Sequence, residues 1–174
     1  MALRGVRKVH AFDVRSENVV RARRLGKYFG ATNLEVSRGD VYKLNMRRNS
    51  YDVVYNVGLF YHINDPLKLA RITYNLTRDF AVFDTIAHKD PYAGYVQEIH
   101  TEDVSRRASM GVERMELHPT YRGIIDLIRY VGFQQIYEVV PRYAQPVAEL
   151  VRNVYTLGLR RTFIAIKHIG RDLA

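Results

Sequence analysis

Cysteine and tryptophan are absent from the 174 residues, and only five prolines occur. A chain without cysteine has no disulfide, no thiol nucleophile and no cysteine-ligated metal. No apolar run approaches the roughly 20 residues that a membrane-spanning helix needs. The N-terminal residues are basic and lack the apolar segment of a secretory signal peptide. We therefore expect a cytoplasmic protein that binds no membrane, and we expect no metal site.

What the chain does have is enough apolar sequence for a core. Apolar residues make up 47% of the composition, and a chain of this length can bury a sizeable interior. It contains no internal repeat, no low-complexity tract and no linker-like stretch. The sequence therefore predicts a single domain over residues 1–174.

The positive charge lies almost entirely in the first 50 residues. They hold twelve Lys and Arg against four Asp and Glu, whereas residues 51–174 hold fifteen against fourteen. A basic patch attracts polyanions, of which nucleic acid is the commonest. Four of the cations fall in one predicted helix, so a solvated helix face is the alternative. The charge alone leaves both interpretations open.

Strands and helices alternate along the chain. The region of residues 88–116 is polar, has no periodicity, and is expected to form a lid, an insertion or a weak helix. Apolar runs predict strands at residues 6–13, 33–36, 51–56, 80–83, 135–140 and 161–169, and spacing of 3.6 predicts helices at residues 16–30, 67–76 and 120–131, with a short one near 147–154. This order favours an α/β fold.

The stretch from Tyr51 to Pro66 organises the prediction. It reads Y-D-V-V-Y-N-V-G-L-F-Y-H-I-N-D-P: an apolar strand ending on Asn56, a glycine-containing turn with Tyr61 and His62, and a helix start at Pro66. Open α/β sheets bind ligands where buried strands end before helices. An ordinary strand–loop–helix connection is the alternative.

Two further strands finish near acidic residues. Asp13 stands at the end of the first predicted strand, and Asp40 follows the second. Each has a simpler explanation, because Asp13 can cap the next helix and Asp40 can be a turn residue.

Taken together, four segments resemble the class I S-adenosylmethionine-dependent methyltransferases. They are V-H-A-F-D-V-R-S-E-N-V (residues 9–19), G-D-V (39–41), Y-D-V-V-Y-N-V-G-L-F-Y-H-I-N-D-P-L-K-L (51–69) and H-P-T-Y-R-G-I-I-D-L-I-R-Y-V-G-F (118–133). Their order and spacing carry the resemblance, since each alone is weak. The resemblance implies a Rossmann-like sheet, mostly parallel with an antiparallel last strand, and S-adenosyl-L-methionine as cofactor.

The resemblance also implies roles for cofactor-binding residues. Asp13 would accept hydrogen bonds from the two ribose hydroxyls, and Asp40 from the adenine amino group. Val41 would lie against the adenine ring, and Asn56 beneath the methionine moiety.

Two residues after the Asn56 strand are the candidates for catalysis. Methyl transfer needs an aligned nucleophile and sometimes the removal of a proton. By resemblance, His62 is the proton acceptor and Tyr61 the positioning group. The alternative for His62 is a structural loop histidine.

One family element has no counterpart in the sequence. The first strand of the family's sheet and its glycine-rich cofactor loop are missing, which predicts an incomplete methyltransferase-like domain with poor cofactor affinity and doubtful activity on its own. The unpaired strands would then be relieved by pairing the strand around Val9 with that around Val53, or by forming a homo-oligomer.

Two classes of function remain, besides a plain α/β domain that is stabilised by self-association. The first is a methyltransferase, or a fragment of one, that acts on a small-molecule, glycan or tRNA acceptor. The second is a catalytically inactive methyltransferase-like module that binds RNA or a partner protein through its basic N-terminal half.

Overall fold

A computed structural model describes residues 5–99, 115–140 and 154–168. The chain divides into two compact units, Met1–Asn45 and Met46–Ala174. The single domain expected from the sequence stays a prediction.

The first unit is a strand–helix–strand motif. Strand β1 (Val9–Asp13) pairs in parallel with β2 (Leu34–Arg38), and helix α1 (Ser16–Tyr28) connects them. Gly30 ends the helical region with a φ of 65°, a conformation that glycine adopts without strain. Few side chains of this unit are buried, the apolar ones being Val19 and Val36.

The second unit is built on a four-stranded sheet in the order β3-β4-β8-β7. Because β8 is antiparallel to both β4 and β7, while β3 and β4 are parallel, three of these strands point one way and only β8 opposes them. The predicted Rossmann-like sheet with an antiparallel last strand is confirmed. The strand bounds are Tyr51–Val57 for β3, Thr77–Ile86 for β4, Gln135–Val139 for β7 and Arg160–Ile166 for β8.

Both helices of the second unit start where their caps predict. Helix α2 (Pro66–Leu76) begins after Asp65, whose carboxylate accepts a hydrogen bond from the Lys68 amide at 2.9 Å. Helix α3 (Tyr121–Tyr130) begins after Thr120, whose hydroxyl accepts from the Gly123 amide at 3.0 Å. Such caps satisfy amides that no helical carbonyl can reach.

Arg78 and Asp79, which separate the helix predicted at residues 67–76 from the strand predicted at 80–83, lie inside β4. Helix α2 passes directly into that strand at Thr77. Tyr51 pairs with Thr77 and Val53 with Phe80, so β4 accommodates one extra residue. This bulge absorbs the polar pair without a turn.

Aromatic side chains link the sheet to its helices. The ring of Phe83 on β4 makes edge-to-face contacts with Phe60 at 6.0 Å and with Phe133 at 5.7 Å, and Phe133 contacts Tyr74 at 5.1 Å. Full burial of such side chains contributes about 1.5–3 kcal/mol each. Other fully buried residues include Leu69, Ile124, Ile128 and Phe163.

The polar region at 88–116 contains strands that the sequence did not reveal. Strand β5 (Tyr95–Ile99) pairs with β6 (Met115–Pro119) in an antiparallel ribbon. A two-stranded ribbon needs little apolar periodicity, which explains the missed prediction. Residues 100–114, and the short helix expected near 147–154 apart from residue 154, lie outside the described residues.

The sequence analysis offers direct pairing of β1 with β3 as one expectation. The two strands do not pair, because they belong to different sheets. Among the described residues, β3 is an edge strand of the four-stranded sheet. In the same part of the chain, every helix is too short or too polar to cross a membrane.

Candidate active site at the carboxyl edge of the sheet

Three strands of the second unit place polar side chains at one edge of the sheet. The carboxyl ends of β3 and β4 meet the amino end of β8, because β8 is antiparallel. β3 leads through Gly58, at a φ of 67°, into a single 3-10 turn (Phe60–His62). Polar side chains at this edge form two groups.

The first group, which we call the histidine cluster, consists of Tyr61, His62, Glu116 and His118. Nδ1 of His62 lies 2.9 Å from Oε1 of Glu116. Nε2 of His118 is hydrogen bonded to Oε2 of the same carboxylate at 2.8 Å. One glutamate therefore contacts two imidazoles.

The histidine cluster is removed from solvent. The side chains of His62, Glu116 and His118 are 14%, 11% and 9% exposed. The Tyr61 ring stacks obliquely on His62 at 4.0 Å and meets His118 edge-on at 5.8 Å. Rings held from several sides have few alternative rotamers, so the imidazoles are fixed in place. Within the described residues, no group of three or more His, Asp or Glu side chains is arranged to hold a metal ion.

The second group, the Asp84 network, consists of Asp84, Tyr155, Arg160 and Thr162. The buried Asp84 carboxylate accepts hydrogen bonds from the Tyr155 hydroxyl at 2.7 Å, the Thr162 hydroxyl at 2.6 Å and Nε of Arg160 at 2.5 Å. Burial, together with the hydrogen bond to Asp84, raises the pKa of the Tyr155 phenol. A buried carboxylate needs this number of donors to offset its desolvation.

Arg160 connects the two groups. Burial alone would lower the pKa of its guanidinium, but hydrogen bonding and the charge of Asp84, with a further hydrogen bond to Tyr61, raise that pKa overall. The guanidinium also approaches the backbone at Gly58, where an added Cβ would lie 3.3 Å from a terminal nitrogen. The Tyr61 phenol is thus held by a permanent cation.

An open cleft of about 1000 Å³ borders the Asp84 network. It lies between the start of α3 and the start of β8, and Arg160 and Tyr155 are among its lining residues. Tyr121 also faces it, beneath the Arg161 guanidinium at 4.8 Å. Pockets of this volume accommodate small molecules.

In the first unit, the two predicted cofactor acids lie at one edge of the β1–β2 pair. The Asp13 carboxylate accepts from the Arg15 amide at 2.8 Å and the Asn18 amide group at 2.9 Å. Asp40 accepts from the Tyr42 amide at 2.9 Å. Val41, half-buried, begins the turn that Asp40 caps. Asp40 therefore also fulfils the turn role that was its simpler explanation. Asp13 does not cap α1, because Arg15 is the N-cap of that helix and no side chain caps it.

These acids fit a role in holding adenosine. An ionised carboxylate offers about four lone-pair positions, and the hydrogen bonds described for Asp13 use one on each oxygen. Capacity to accept from ribose hydroxyls remains. Their role in cofactor binding stays a prediction.

Asn56 lies on the helix side of the sheet. It is 5% exposed, and its amide nitrogen donates to the Thr73 hydroxyl of α2 at 3.3 Å. The amide oxygen is buried and has no hydrogen-bond partner within the part of the chain that the structure describes. An unsatisfied buried acceptor is uncommon and costs about 1–3 kcal/mol. Its predicted place beneath a methionine moiety stays a prediction.

Tyr61 and His62, adjacent in the sequence, lie in one turn, and the structure adds partners that sequence reasoning missed. Glu116 and His118 lie in β6, and Glu116 is the last residue of the polar region that showed no periodicity. His118 begins the H-P-T-Y segment that resembles the family. Its position in that segment is the one sequence feature that could have marked it as a site residue. Nothing in the sequence links Asp84 to Arg160, 76 residues away.

Comparisons with known proteins support the family resemblance. Residues 1–79 match the family model described as a methyltransferase domain. No curated protein matches the sequence. Among solved structures, the N-terminal domain of EvdMO1 with SAH and D-fucose is similar at a TM-score of 0.67 and 18% identity, over 97% of this chain and 69% of that one.

Two other structures show the breadth of the fold. An S-adenosylmethionine-dependent methyltransferase from Mesorhizobium loti matches at a TM-score of 0.60 and 18% identity, over 93% of this chain and 81% of that one. The [4+2]-cyclase SpnF matches at 0.65 and 12% identity, over 97% of this chain and 70% of that one. The same fold therefore serves more than one reaction.

Identity this low shows the fold alone, whereas the family match concerns the sequence itself. The match covers β1, α1, β2, β3 and α2, which include Asp13, Asp40, Asn56 and the turn with Tyr61 and His62. Residues 1–79 thus match the methyltransferase-domain model, and the chain has the Rossmann-like fold that solved S-adenosylmethionine-dependent methyltransferases also have.

Proposed function

We propose that this protein is an S-adenosylmethionine-dependent methyltransferase that acts on a small-molecule acceptor. The observation that carries the proposal is the histidine cluster, which holds a potential proton acceptor at the carboxyl edge of the sheet, directly after a strand of the family-matched segment. Open α/β sheets place their ligands at this edge.

The cofactor, when bound, supplies a methyl group on a positively charged sulfur. In this proposal Asp13 and Asp40 hold the adenosine portion by accepting hydrogen bonds, and Val41 presents an apolar surface to the ring. Asn56 contributes a buried amide oxygen for which the described residues provide no donor.

His62 acts as the general base. A hydroxyl acceptor loses a proton as its oxygen attacks the methyl carbon, and a neighbouring imidazole can take that proton. Tyr61, hydrogen bonded to the Arg160 cation, orients the acceptor. The rigid packing of both rings serves alignment, which contributes much of the rate acceleration in group transfer.

A sugar or related polyhydroxylated compound is the acceptor we favour. The EvdMO1 domain was crystallised in the presence of D-fucose. The cleft of about 1000 Å³ beside Arg160 has the size for such a compound. Tyrosine and arginine side chains along it supply the ring faces and donors that sugars use.

The test is transfer of labelled methyl groups from S-adenosylmethionine to a panel of sugars, phenols and amines. His62→Ala is expected to lower turnover about 10²–10⁴-fold, the usual contribution of a general base, and to leave affinity for S-adenosylhomocysteine unchanged. His168→Ala, at an exposed position beyond β8, is the matched control and should retain wild-type turnover. Wild-type turnover in His62→Ala would make this histidine structural.

A second candidate, binding of RNA or an acidic partner protein, is favoured by the charge of residues 1–50. Arg21, Arg24 and Lys27 recur every three residues along α1 and are all exposed. Nonspecific binding of tRNA through such a face should weaken steeply between low and physiological salt. Absence of tRNA binding at low salt would remove this candidate without affecting the first.

A further inference from the structure

We propose that Glu116 is a positioning residue that serves His62 and His118 together, and that this arrangement commits the site to acceptors that carry a removable proton. The inference rests on the proposed methyltransferase function and deepens it. It concerns two residues in a strand that sequence reasoning did not detect.

The geometry is the first step. Glu116 presents one carboxylate oxygen to each imidazole, at 2.9 Å to His62 and 2.8 Å to His118. An ionised carboxylate can only accept, so its contact with His118 requires a hydrogen on Nε2 of that ring. The His118 hydrogen bond in turn restricts rotation of the carboxylate, which keeps the other oxygen against His62.

Burial is the second step. The Glu116 side chain is 11% exposed, whereas the Glu35 side chain near His10 is 49% exposed and 3.6 Å away from that ring. Charge interactions are stronger where water is excluded. The Glu116 carboxylate is therefore placed to stabilise positive charge on His62 far more than a surface carboxylate would.

Chemistry is the third step. When a hydroxyl oxygen attacks the methyl carbon, the new O–C bond forms, the C–S bond breaks and its electron pair returns to sulfur. The hydroxyl proton passes to His62, whose imidazolium is stabilised by Glu116 before the proton leaves to solvent. A thioether or tertiary amine has no proton to give, and for such acceptors the buried carboxylate–imidazole pair would have no use.

Tyr61 connects Glu116 and His62 to the other polar side chains at this edge of the sheet. Its ring contacts both His62 and His118, and its hydroxyl is bonded to Arg160. Displacement of His118 would thus disturb the group that orients the acceptor as well as the base. This predicts that His118→Gln, which retains a donor for Glu116, is tolerated better than His118→Leu.

The first experiment needs neither cofactor nor acceptor. Imidazole ¹⁵N and ¹H resonances of the full chain are recorded for wild type, Glu116→Gln and the control Glu35→Gln. Glu116→Gln should shift the ring nitrogens of both His62 and His118, and Glu35→Gln should affect only His10. Unchanged His62 nitrogens in a folded Glu116→Gln variant would overturn the positioning role. If that variant fails to fold, Glu116→Asp supplies the test, because its shorter carboxylate cannot reach both rings and should shift at least one.

The second experiment uses an acceptor that the wild-type chain methylates. Glu116→Gln should lower kcat about 10-fold or more with little change in acceptor KM, as expected for loss of base positioning. Glu116→Asp should recover part of the rate. Equal loss in both variants with a raised KM would indicate a structural role only. Efficient methylation of thioethers or tertiary amines, but not hydroxyls, would overturn the acceptor class.

The two experiments separate the two proposals. A wild-type chain that methylates nothing contradicts the proposed function, yet the resonance shifts still test whether Glu116 positions both histidines.

Discussion

One charged side chain is buried at each end of the β4–β8 strand pair. The two charges are stabilised by different kinds of partner. At the carboxyl end of β4, Asp84 is 4% exposed and is matched by the Arg160 cation and two hydroxyls. At the other end, Lys167 is also 4% exposed, directly after β8. Both charges are stabilised by hydrogen bonds, but among the described residues only Asp84 has a partner of opposite charge in its network.

Lys167 is held by neutral groups. Its ammonium donates to the Asn49 amide oxygen and the Tyr74 carbonyl at 2.7 Å, and to the Thr77 carbonyl at 2.8 Å. The Tyr74 ring lies 4.1 Å from the same nitrogen. Burial, followed by the nearby charge of Arg48, lowers the pKa of Lys167. The three N–H groups of the ammonium are thus matched by three acceptors, which makes the role of this end structural.

The two ends of this strand pair therefore differ in role. The Lys167 end is structural, whereas the Asp84 end is also linked to the candidate site. At the Lys167 end, the ammonium donates to one side-chain amide oxygen and two backbone carbonyls, which come from a loop, a helix end and a strand. The Asp84 end holds Arg160, which in turn reaches Tyr61 in the histidine cluster. We expect changes at the first end to alter stability alone, and changes at the second to alter stability and the site together.

The largest effect is expected for Asp84→Asn. This change leaves the Arg160 cation without its counter-charge, and breaking a buried pair in this way typically costs 3–5 kcal/mol, so we expect a loss of about 3 kcal/mol in the free energy of unfolding. Chemical denaturation measures it. Asp52→Asn, which breaks an exposed pair with Arg78, is the control and should cost less than about 1 kcal/mol.

The double variant Asp84→Asn/Arg160→Met sharpens this result. Removing both charges should cost less than the sum of the two single changes, because no buried charge is left alone. If the double variant instead loses the sum of the two single losses in the free energy of unfolding, Asp84 and Arg160 are not coupled. That result would contradict the difference between the two ends.

A smaller effect is expected for Lys167→Met. Three acceptors lose their donor, but the cost of burying an ammonium disappears, so we expect a loss of about 1–3 kcal/mol. Lys89→Met, at an exposed position, should change stability by less than about 0.5 kcal/mol. Lys167→Met should also leave the imidazole resonances of His62 unchanged, and a shift there would contradict the separation of the two ends.

The pH dependence of this variant has a definite sign. The pKa of Lys167 in the folded protein lies below its ordinary value of 10.5. The unfolded chain therefore binds the proton at a pH where the folded chain does not, which disfavours folding as pH falls through that window. The stability advantage of wild type over Lys167→Met should grow as pH rises towards 10.5, and denaturation at several alkaline pH values checks this. A shrinking advantage would contradict the lowered pKa.

The smallest effect is expected for Gly132→Ala, which disturbs Tyr74 indirectly. Gly132 has a φ of 116°, and a Cβ there would lie 3.0 Å from the Tyr74 ring that covers Lys167. Backbone strain of this kind costs about 1–2 kcal/mol. Gly94→Ala, with no atom within 4 Å of its added Cβ, is the control and should be nearly neutral. Equal thermal unfolding temperatures for the two variants would refute the strain.

The local parts of this account can be predicted from sequence. Alternation along the last strand places Lys167 on the same face as Phe163 and Ala165, and all three are buried. Pro66 after Asp65, and Gly132 after α3, mark helix ends correctly because cap chemistry acts over a few residues.

The partners of the buried charges cannot be predicted in the same way. Lys167 bonds to Asn49, 118 residues away, and Asp84 to Arg160, 76 residues away. Such pairs depend on how the strands are ordered in the sheet, and β8 is inserted between β4 and β7. Glu116 was missed for a related reason, since only the pairing of β6 with β5 makes it part of a defined strand.

The most direct test of the central claim is calorimetric titration of the full chain with S-adenosylhomocysteine. If the strand-end acids hold adenosine, the wild-type chain binds, and Asp13→Ala weakens binding about 10–150-fold, equivalent to about 1.5–3 kcal/mol. Asp52→Asn should bind as wild type does. Absence of binding at millimolar ligand, or equal affinity in Asp13→Ala, would contradict the assignment of this chain as an S-adenosylmethionine-dependent methyltransferase.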